Sequence, residues 1–171
     1  MALIKHRKLA QDPWKLLEGC EGELPSIPAT GNVIVPLAGW HARREQLISR
    51  ADGVGVVLSA TEDPADIAPD LKHFQVVAVH FATFNDGRGY STARLLRERY
   101  GWRGELRAVG DVLRDQLFYL ARCGFDAFEL KEGADVEEAL AAFSDFSEAY
   151  QASVDRPLPL FRRREVAAAT S

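Results

Sequence analysis

Between residues 76 and 130, short apolar runs alternate with longer amphipathic segments. The apolar runs lie at 76–81, 106–109 and 127–130, and the segments between them repeat apolar residues at helical spacing. Strands that alternate with helices are typical of a parallel sheet joined by helical crossovers. The pattern therefore predicts an α/β fold in which the loops after the strands gather at one end of the sheet.

Two more strands are predicted upstream, at 32–37 and 54–59, which gives about five β/α units. Five units fit a doubly wound parallel sheet and equally a half (β/α) barrel, so both architectures are expected alternatives. Helices are predicted between and after these strands, at 40–50, 91–100, 112–123 and 136–150.

The 171 residues suit a single domain with a substantial core. We expect one α/β domain over 1–171. It has a lead-in over 1–30 and, because proline and arginine accumulate from residue 153, an extended Arg-rich tail over 153–171.

Composition excludes several classes of function. Hydrophobic residues make up 47% and charged residues 27%, as in ordinary soluble proteins. The net charge of −4 argues against general nucleic-acid binding. No apolar run approaches the roughly 20 residues of a membrane span, and no signal peptide is visible. Two cysteines, Cys20 and Cys123, cannot build a Cys-rich metal site. We expect a cytoplasmic protein with no metal site.

A glycine-rich loop follows the strand at 76–81 and opens a helix. Its candidate anion-binding residues are Asp86, Gly87, Arg88, Gly89 and Ser91. Glycines allow close backbone approach, a helix start favours anions, and an arginine fork suits phosphate, sulfite or carboxylate. A tight turn with an N-capping hydroxyl is the alternative.

Charged residues interrupt three consecutive apolar strands. His80, Arg107 and Glu129 lie in or at the ends of these strands, where an unpaired charge is costly. Arg107 is expected to pair with Glu129, and His80 could extend the network. Asp111 follows the fourth strand, either as a helix N-cap or at the same end of the sheet as the glycine-rich loop. These four residues are the candidate catalytic residues, with a structural ion pair as the alternative.

The segment DGRGYSTARLLRERYGWRGELRAVGDVLRDQLFYLARCGFDAFEL, at 86–130, resembles the bacterial DUF934 family. Asp12-Pro13-Trp14 and the PLPLFRRR segment near the C-terminus also match. The family is described as oxidoreductase-like and involved in sulfite reduction. The resemblance implies a role in assimilatory sulfite reduction and cysteine biosynthesis, beside a sulfite reductase hemoprotein. It carries over no catalytic residues.

The residues themselves identify no cofactor, because the chain has neither a complete dinucleotide fingerprint nor a Cys-x-x-Cys pair. We therefore expect an accessory protein, a partner or electron-delivery adaptor of the hemoprotein. Its docking arm is Arg162, Arg163 and Arg164, with a wider arginine-rich surface. The alternative is a (β/α)-type enzyme or oxidoreductase that binds a small anionic sulfur or phosphate compound at the glycine-rich loop. A homodimer through open sheet edges is also expected.

Overall fold

The structure is a computed structural model that describes residues 2–17, 25–146 and 148–163. One sheet contains eight strands, which are β1 (Ala2–Lys5), β2 (Lys8–Ala10), β3 (Trp14–Leu16), β4 (Asn32–Pro36), β5 (Val54–Ser59), β6 (Val76–Phe81), β7 (Glu105–Gly110) and β8 (Ala127–Leu130). The α-helices are α1 (Leu37–Ile48), α2 (Arg88–Arg94), α3 (Leu117–Cys123) and α4 (Val136–Ala142). Segments of 3₁₀-helix lie at Pro64–His73 and Arg114–Gln116, and a π-helical turn lies at Leu95–Arg99.

The strand order selects between the two predicted architectures. The sheet runs β2-β1-β8-β7-β6-β5-β4-β3, so the six strands from β3 to β8 are parallel neighbours in chain order. A doubly wound sheet needs a reversal of strand order, and these six strands have none. Crossovers of one hand then place their helices on one face. The predicted α/β fold is confirmed, in its half-barrel form.

The N-terminal strands bend the sheet. β1 and β2 add antiparallel strands beside β8, whereas β3 lies at the opposite edge, beside β4. Eight strands in a flat sheet would separate these edges by about 34 Å. The chain from Ala10 to Trp14 reaches at most about 14 Å. The sheet must therefore curl until its two edges approach each other. We call the connecting residues 11–13 the N-terminal strap.

Side chains alternate between two faces of this curved sheet. Val77 and Val79 of β6 face outward, into the main core formed with the helices. Val76 and Ala78 face the inner side, where a smaller apolar cluster includes Ile34 of β4 and Val109 of β7. The crossover helices of the described chain pack on the outer face, so the inner face is the side on which a cavity can open.

The strands predicted from 32–37 onward match the structure closely. The structure differs from the prediction in the N-terminal region. The lead-in predicted over 1–30 contains three strands in its described part, which raises the strand count from about five to eight. Across the described ranges, no helix combines the length and apolar character that crossing a membrane requires.

Candidate functional site

A cavity of about 420 Å³ opens on the inner face of the sheet. One wall consists of the C-terminal ends of β6, β7 and β8, and the other consists of the strap and β3. The polar side chains along it are Asp12, Lys15, His80, Glu129 and Lys131. We call this the inner-face cavity. Concave sites with a few convergent polar groups are where small molecules usually bind.

His80 sits at the rim of the inner-face cavity, near the C-terminal end of β6, and its side chain is exposed. Gly110 lies beneath its ring, with φ at +92°. A Cβ at Gly110 would come within 3.0 Å of His80 Nε2 and 2.5 Å of the Phe81 carbonyl oxygen. The backbone at Gly110 therefore leaves the imidazole room that any other residue would fill. An accessible imidazole in a cavity is suited to general acid–base chemistry.

Arg107 lies at the centre of the inner face and is only 1% exposed. Its Nη1 and Nη2 donate to the two carboxylate oxygens of Asp12 at 2.7 and 3.1 Å, and its Nε donates to Glu105 at 2.8 Å. Lys5 pairs with the other Glu105 oxygen at 2.6 Å. The predicted pairing of Arg107 with Glu129 is therefore corrected, because the strap places Asp12 directly over the guanidinium.

Burial would lower the pKa of Arg107, but the hydrogen bonds that it donates to Asp12 and the charge of Glu105 outweigh burial and raise that pKa. Arg107 is thus a fixed cation that holds the strap against the sheet. Asp12 also accepts a hydrogen bond from the Trp14 amide at 3.0 Å. No local pattern around Arg107 indicated Asp12 as its partner, although Asp12 belongs to the Asp-Pro-Trp segment that resembles the family.

Asp111 connects two loops at the C-terminal end of the sheet. Its carboxylate accepts hydrogen bonds from Lys131 Nζ at 2.5 Å and from the Phe84 amide at 2.9 Å. The Lys131 hydrogen bond is the main reason that the pKa of Asp111 is lowered. Its hydrogen bonds therefore join loops instead of capping the helix that begins at Arg114. A carboxylate with a lowered pKa is a weak base near neutral pH, so His80 is better suited to that role.

In the glycine-rich loop, the side chain of Arg88 is bound to a carboxylate of the same loop, that of Asp86. Both Nε and Nη2 of Arg88 donate to the Asp86 carboxylate, at 2.9 and 2.7 Å, and the Arg88 amide donates to it at 3.1 Å. These contacts from Arg88 lower the pKa of Asp86 to about 2. Gly89 is buried, and a Cβ there would lie 2.6 Å from the Phe81 ring. Ser91 is exposed, and Gly87 is open to solvent on its Cβ side. An anion at this loop would have to share Arg88 with Asp86.

The predicted docking arm packs back toward the domain. Arg163 donates to Glu148 at 2.7 Å, and Arg162 lies exposed over the ring of Phe161. The chain at 160–163 is helical. Arg164 lies outside the described residues, as does Cys20. The wider arginine-rich surface was predicted from Arg94, Arg97, Arg99, Arg103, Arg114 and Arg122. Four of these are paired with carboxylates, namely Arg94, Arg97, Arg114 and Arg122, and Arg97 is also buried.

Exposed aromatic rings form a second cavity of about 410 Å³ that the sequence analysis did not identify. Phe118, Tyr119, Phe146 and Tyr150 line it, and we call these residues the C-terminal aromatic surface. Tyr119, Phe146 and Tyr150 are 53%, 63% and 69% exposed. Clustered exposed aromatics are typical of protein-binding sites. Part of this cluster lies beyond the end of α4, where the predicted helix at 136–150 does not continue.

Among the residues that the structure describes, no group of three or more histidine, cysteine, aspartate or glutamate side chains is placed to hold a metal ion. Cys123 is buried, and burial raises the pKa of its thiol.

Comparison with known proteins gives one match. The model of a family described as a bacterial protein of unknown function (DUF934) matches residues 55–161, which is more than half of the chain. No curated protein matches it. The matched region begins at the second residue of β5 and contains β6 to β8 and the C-terminal aromatic surface. It leaves the strap and β1 to β4 outside.

Proposed function

The chain belongs to the DUF934 family, and on this premise we propose that it is an accessory protein of assimilatory sulfite reduction. It binds a sulfite reductase hemoprotein as a partner or electron-delivery adaptor. The family resemblance supports the pathway. The structural observation that supports a docking role is the C-terminal aromatic surface.

This surface has the composition of an interface centre. Tyrosine and phenylalanine are enriched at the centres of interfaces, where charged residues are depleted. Two carboxylates at its rim are already paired, since Arg114 binds Asp145 at 2.8 Å and Arg156 binds Glu148 at 2.9 Å. Aromatic burial therefore supplies most of the affinity, and exposed Arg162 adds a salt-dependent contribution.

The test is binding of the purified protein to its cognate hemoprotein, measured by surface plasmon resonance at several salt concentrations. Tyr150→Ser removes the most exposed ring and is expected to weaken binding about tenfold or more, as loss of an aromatic hot spot does. Phe146→Ser should also weaken binding.

The matched control is Leu9→Ser, which removes an apolar side chain that is 60% exposed on β2. It should leave the affinity unchanged. Circular dichroism melts verify that all three variants fold. Absence of binding by the unaltered protein at every salt concentration contradicts the proposal. Equal losses in Leu9→Ser and Tyr150→Ser contradict the assignment to this surface.

A second candidate function is an enzyme or oxidoreductase that acts on a small anionic sulfur or phosphate compound. The observation that favours it is the exposed imidazole of His80 at the inner-face cavity, with Glu129 and Lys131 on the same wall. His80 would move the proton and Lys131 would attract the anion. The loop residues from Asp86 to Ser91 remain its predicted anion-binding residues.

Histidine proton resonances test this candidate directly. Addition of sulfite or phosphate should shift the His80 resonance, which is assigned by its loss in His80→Gln. The resonance of His41, an exposed histidine on α1, serves as the internal control. If both histidines respond alike, or neither responds, the inner-face cavity does not bind these anions.

A further inference from the structure

Three arginines converge on a separate cavity of about 400 Å³. Arg94, Arg97 and Arg103 line it together with Glu98, and the chain at 152–157 contributes the other wall. We call it the arginine cavity. Arg103 lies just before β7, so this cavity is near the N-terminal ends of the strands, away from the inner-face cavity.

Arg97 supplies a fixed, buried positive charge. Its Nε donates to the Gly124 carbonyl at 2.9 Å, and its Nη1 donates to the carbonyls of Trp102 and Gly104 at 2.9 and 2.8 Å. Its Nη2 reaches Asp126 at 2.9 Å. Because four acceptors hold it, Arg97 keeps its position whether or not a ligand is present.

Arg94 and Arg103 retain donors for a ligand. Arg94 uses only Nη2 toward Glu98, at 3.1 and 3.4 Å from its two oxygens. Arg103 is exposed and forms no hydrogen bond or ion pair with any residue in the described parts of the chain. Guanidinium groups with free N–H donors are suited to the paired oxygens of an oxyanion.

The charges around the cavity leave a positive excess. Burial is the main cause that lowers the pKa of Arg97, and the nearby charge of Arg103 lowers it further. Among the residues that the structure describes at this cavity, two carboxylates, Glu98 and Asp126, face three guanidinium groups. An additional anion between the arginines would therefore relieve the repulsion between like charges.

We propose that the arginine cavity binds a small oxyanion of the sulfate or phosphate type, either free or as the terminal group of a small molecule. Arg94 and Arg103 donate to its oxygens, and Arg97 contributes its fixed charge. This site is independent of the proposed docking on a hemoprotein, since it shares no lining residue with the C-terminal aromatic surface.

The test is isothermal titration of the full chain with inorganic sulfate, inorganic phosphate and phenyl phosphate, at constant ionic strength. Arg103→Gln is expected to weaken binding about tenfold or more, because charge-assisted hydrogen bonds are lost. Glu98→Gln is expected to strengthen binding severalfold, because a carboxylate no longer opposes the ligand.

The matched control is Arg99→Gln, which removes the same charge from the neighbouring turn. Arg99 is exposed, lies against the Tyr100 ring and does not line the cavity. The Arg99→Gln variant should bind the probe anions with the same affinity as the unaltered protein. Tighter binding of phenyl phosphate than of phosphate identifies an organic ligand, and equal binding identifies the free ion. No binding of any probe, or equal loss in Arg99→Gln and Arg103→Gln, overturns the proposal. Neither outcome bears on binding of the hemoprotein.

Discussion

At the scale of single residues, Arg107 shows how a charge can be accommodated inside a sheet. The apolar run around it made the charge anomalous, and an anomalous buried charge requires a partner. The partner is Asp12, which lies 95 positions away in the chain. The guanidinium group donates to both carboxylate oxygens of Asp12 and to one of Glu105, so all three of its nitrogens are engaged within the fold. Arg107 is therefore a structural cation, and His80 is the titratable side chain of β6 that reaches the inner-face cavity.

We expect Arg107→Ala to lower the free energy of unfolding by about 3–5 kcal/mol, because it leaves Asp12 without its cation and the buried Glu105 with Lys5 alone. Urea unfolding followed by circular dichroism measures the change. Asp12→Asn should cost less, about 1–2 kcal/mol, since Asp12 is 31% exposed and Arg107 retains Glu105. If Arg107→Ala cost no more than Asp12→Asn, Arg107 would not be the centre of this network.

At the scale of elements, two glycines at the start of α2 have different roles: Gly87 precedes the helix, and Gly89 lies in its first turn. Sequence alone suggested that both free the backbone for a ligand. In the structure Gly89 packs against the Phe81 ring, so its missing Cβ allows α2 to approach the sheet. Gly87 has open space around its Cβ position and a helical backbone with φ −76°. One glycine is thus needed for packing, and the other is replaceable.

Alanine substitutions separate these roles. Gly89→Ala is expected to lower the free energy of unfolding by about 1–3 kcal/mol, because the added methyl group would overlap Phe81. Gly87→Ala is expected to be neutral or to stabilise by up to about 1 kcal/mol, through a less flexible unfolded chain. Thermal melts of the two variants give the comparison. Equal destabilisation by both would contradict the packing role of Gly89.

Element boundaries differ from the predicted ones where tertiary contacts intervene. The helix predicted at 136–150 ends at Ala142, and the next residue, Phe143, packs against Phe128 of β8 with ring centroids 5.1 Å apart. The Ser144 amide bonds to the Ala141 carbonyl and closes the last turn. Apolar spacing continues beyond this point in the sequence, so spacing alone could not locate the end.

At the scale of the whole molecule, the curl of the sheet creates the inner-face cavity. A strap of three residues joins opposite edges, and the Asp12–Arg107 contact fastens it across the inner face. Trp14 follows the strap and packs its ring close to Gly53, where a Cβ would lie 2.7 Å away. The edge strands β2 and β3 are thereby brought near each other. A homodimer through open edges stays a prediction, and these two strands are the edges it would use.

Local sequence patterns determined the parallel α/β character, the positions of β4 to β8 and the presence of charges on the inner face. These features depend on the spacing of apolar and charged residues within short segments, and that spacing can be seen in the sequence itself. The tertiary structure alone decided the barrel-like closure, the partner of Arg107, the C-terminal aromatic surface and the arginine cavity. Each of these depends on contacts between segments far apart in the chain, as Arg97 with Asp126 illustrates. No local pattern encodes such a contact, because its energy arises only once the sheet has brought the segments together.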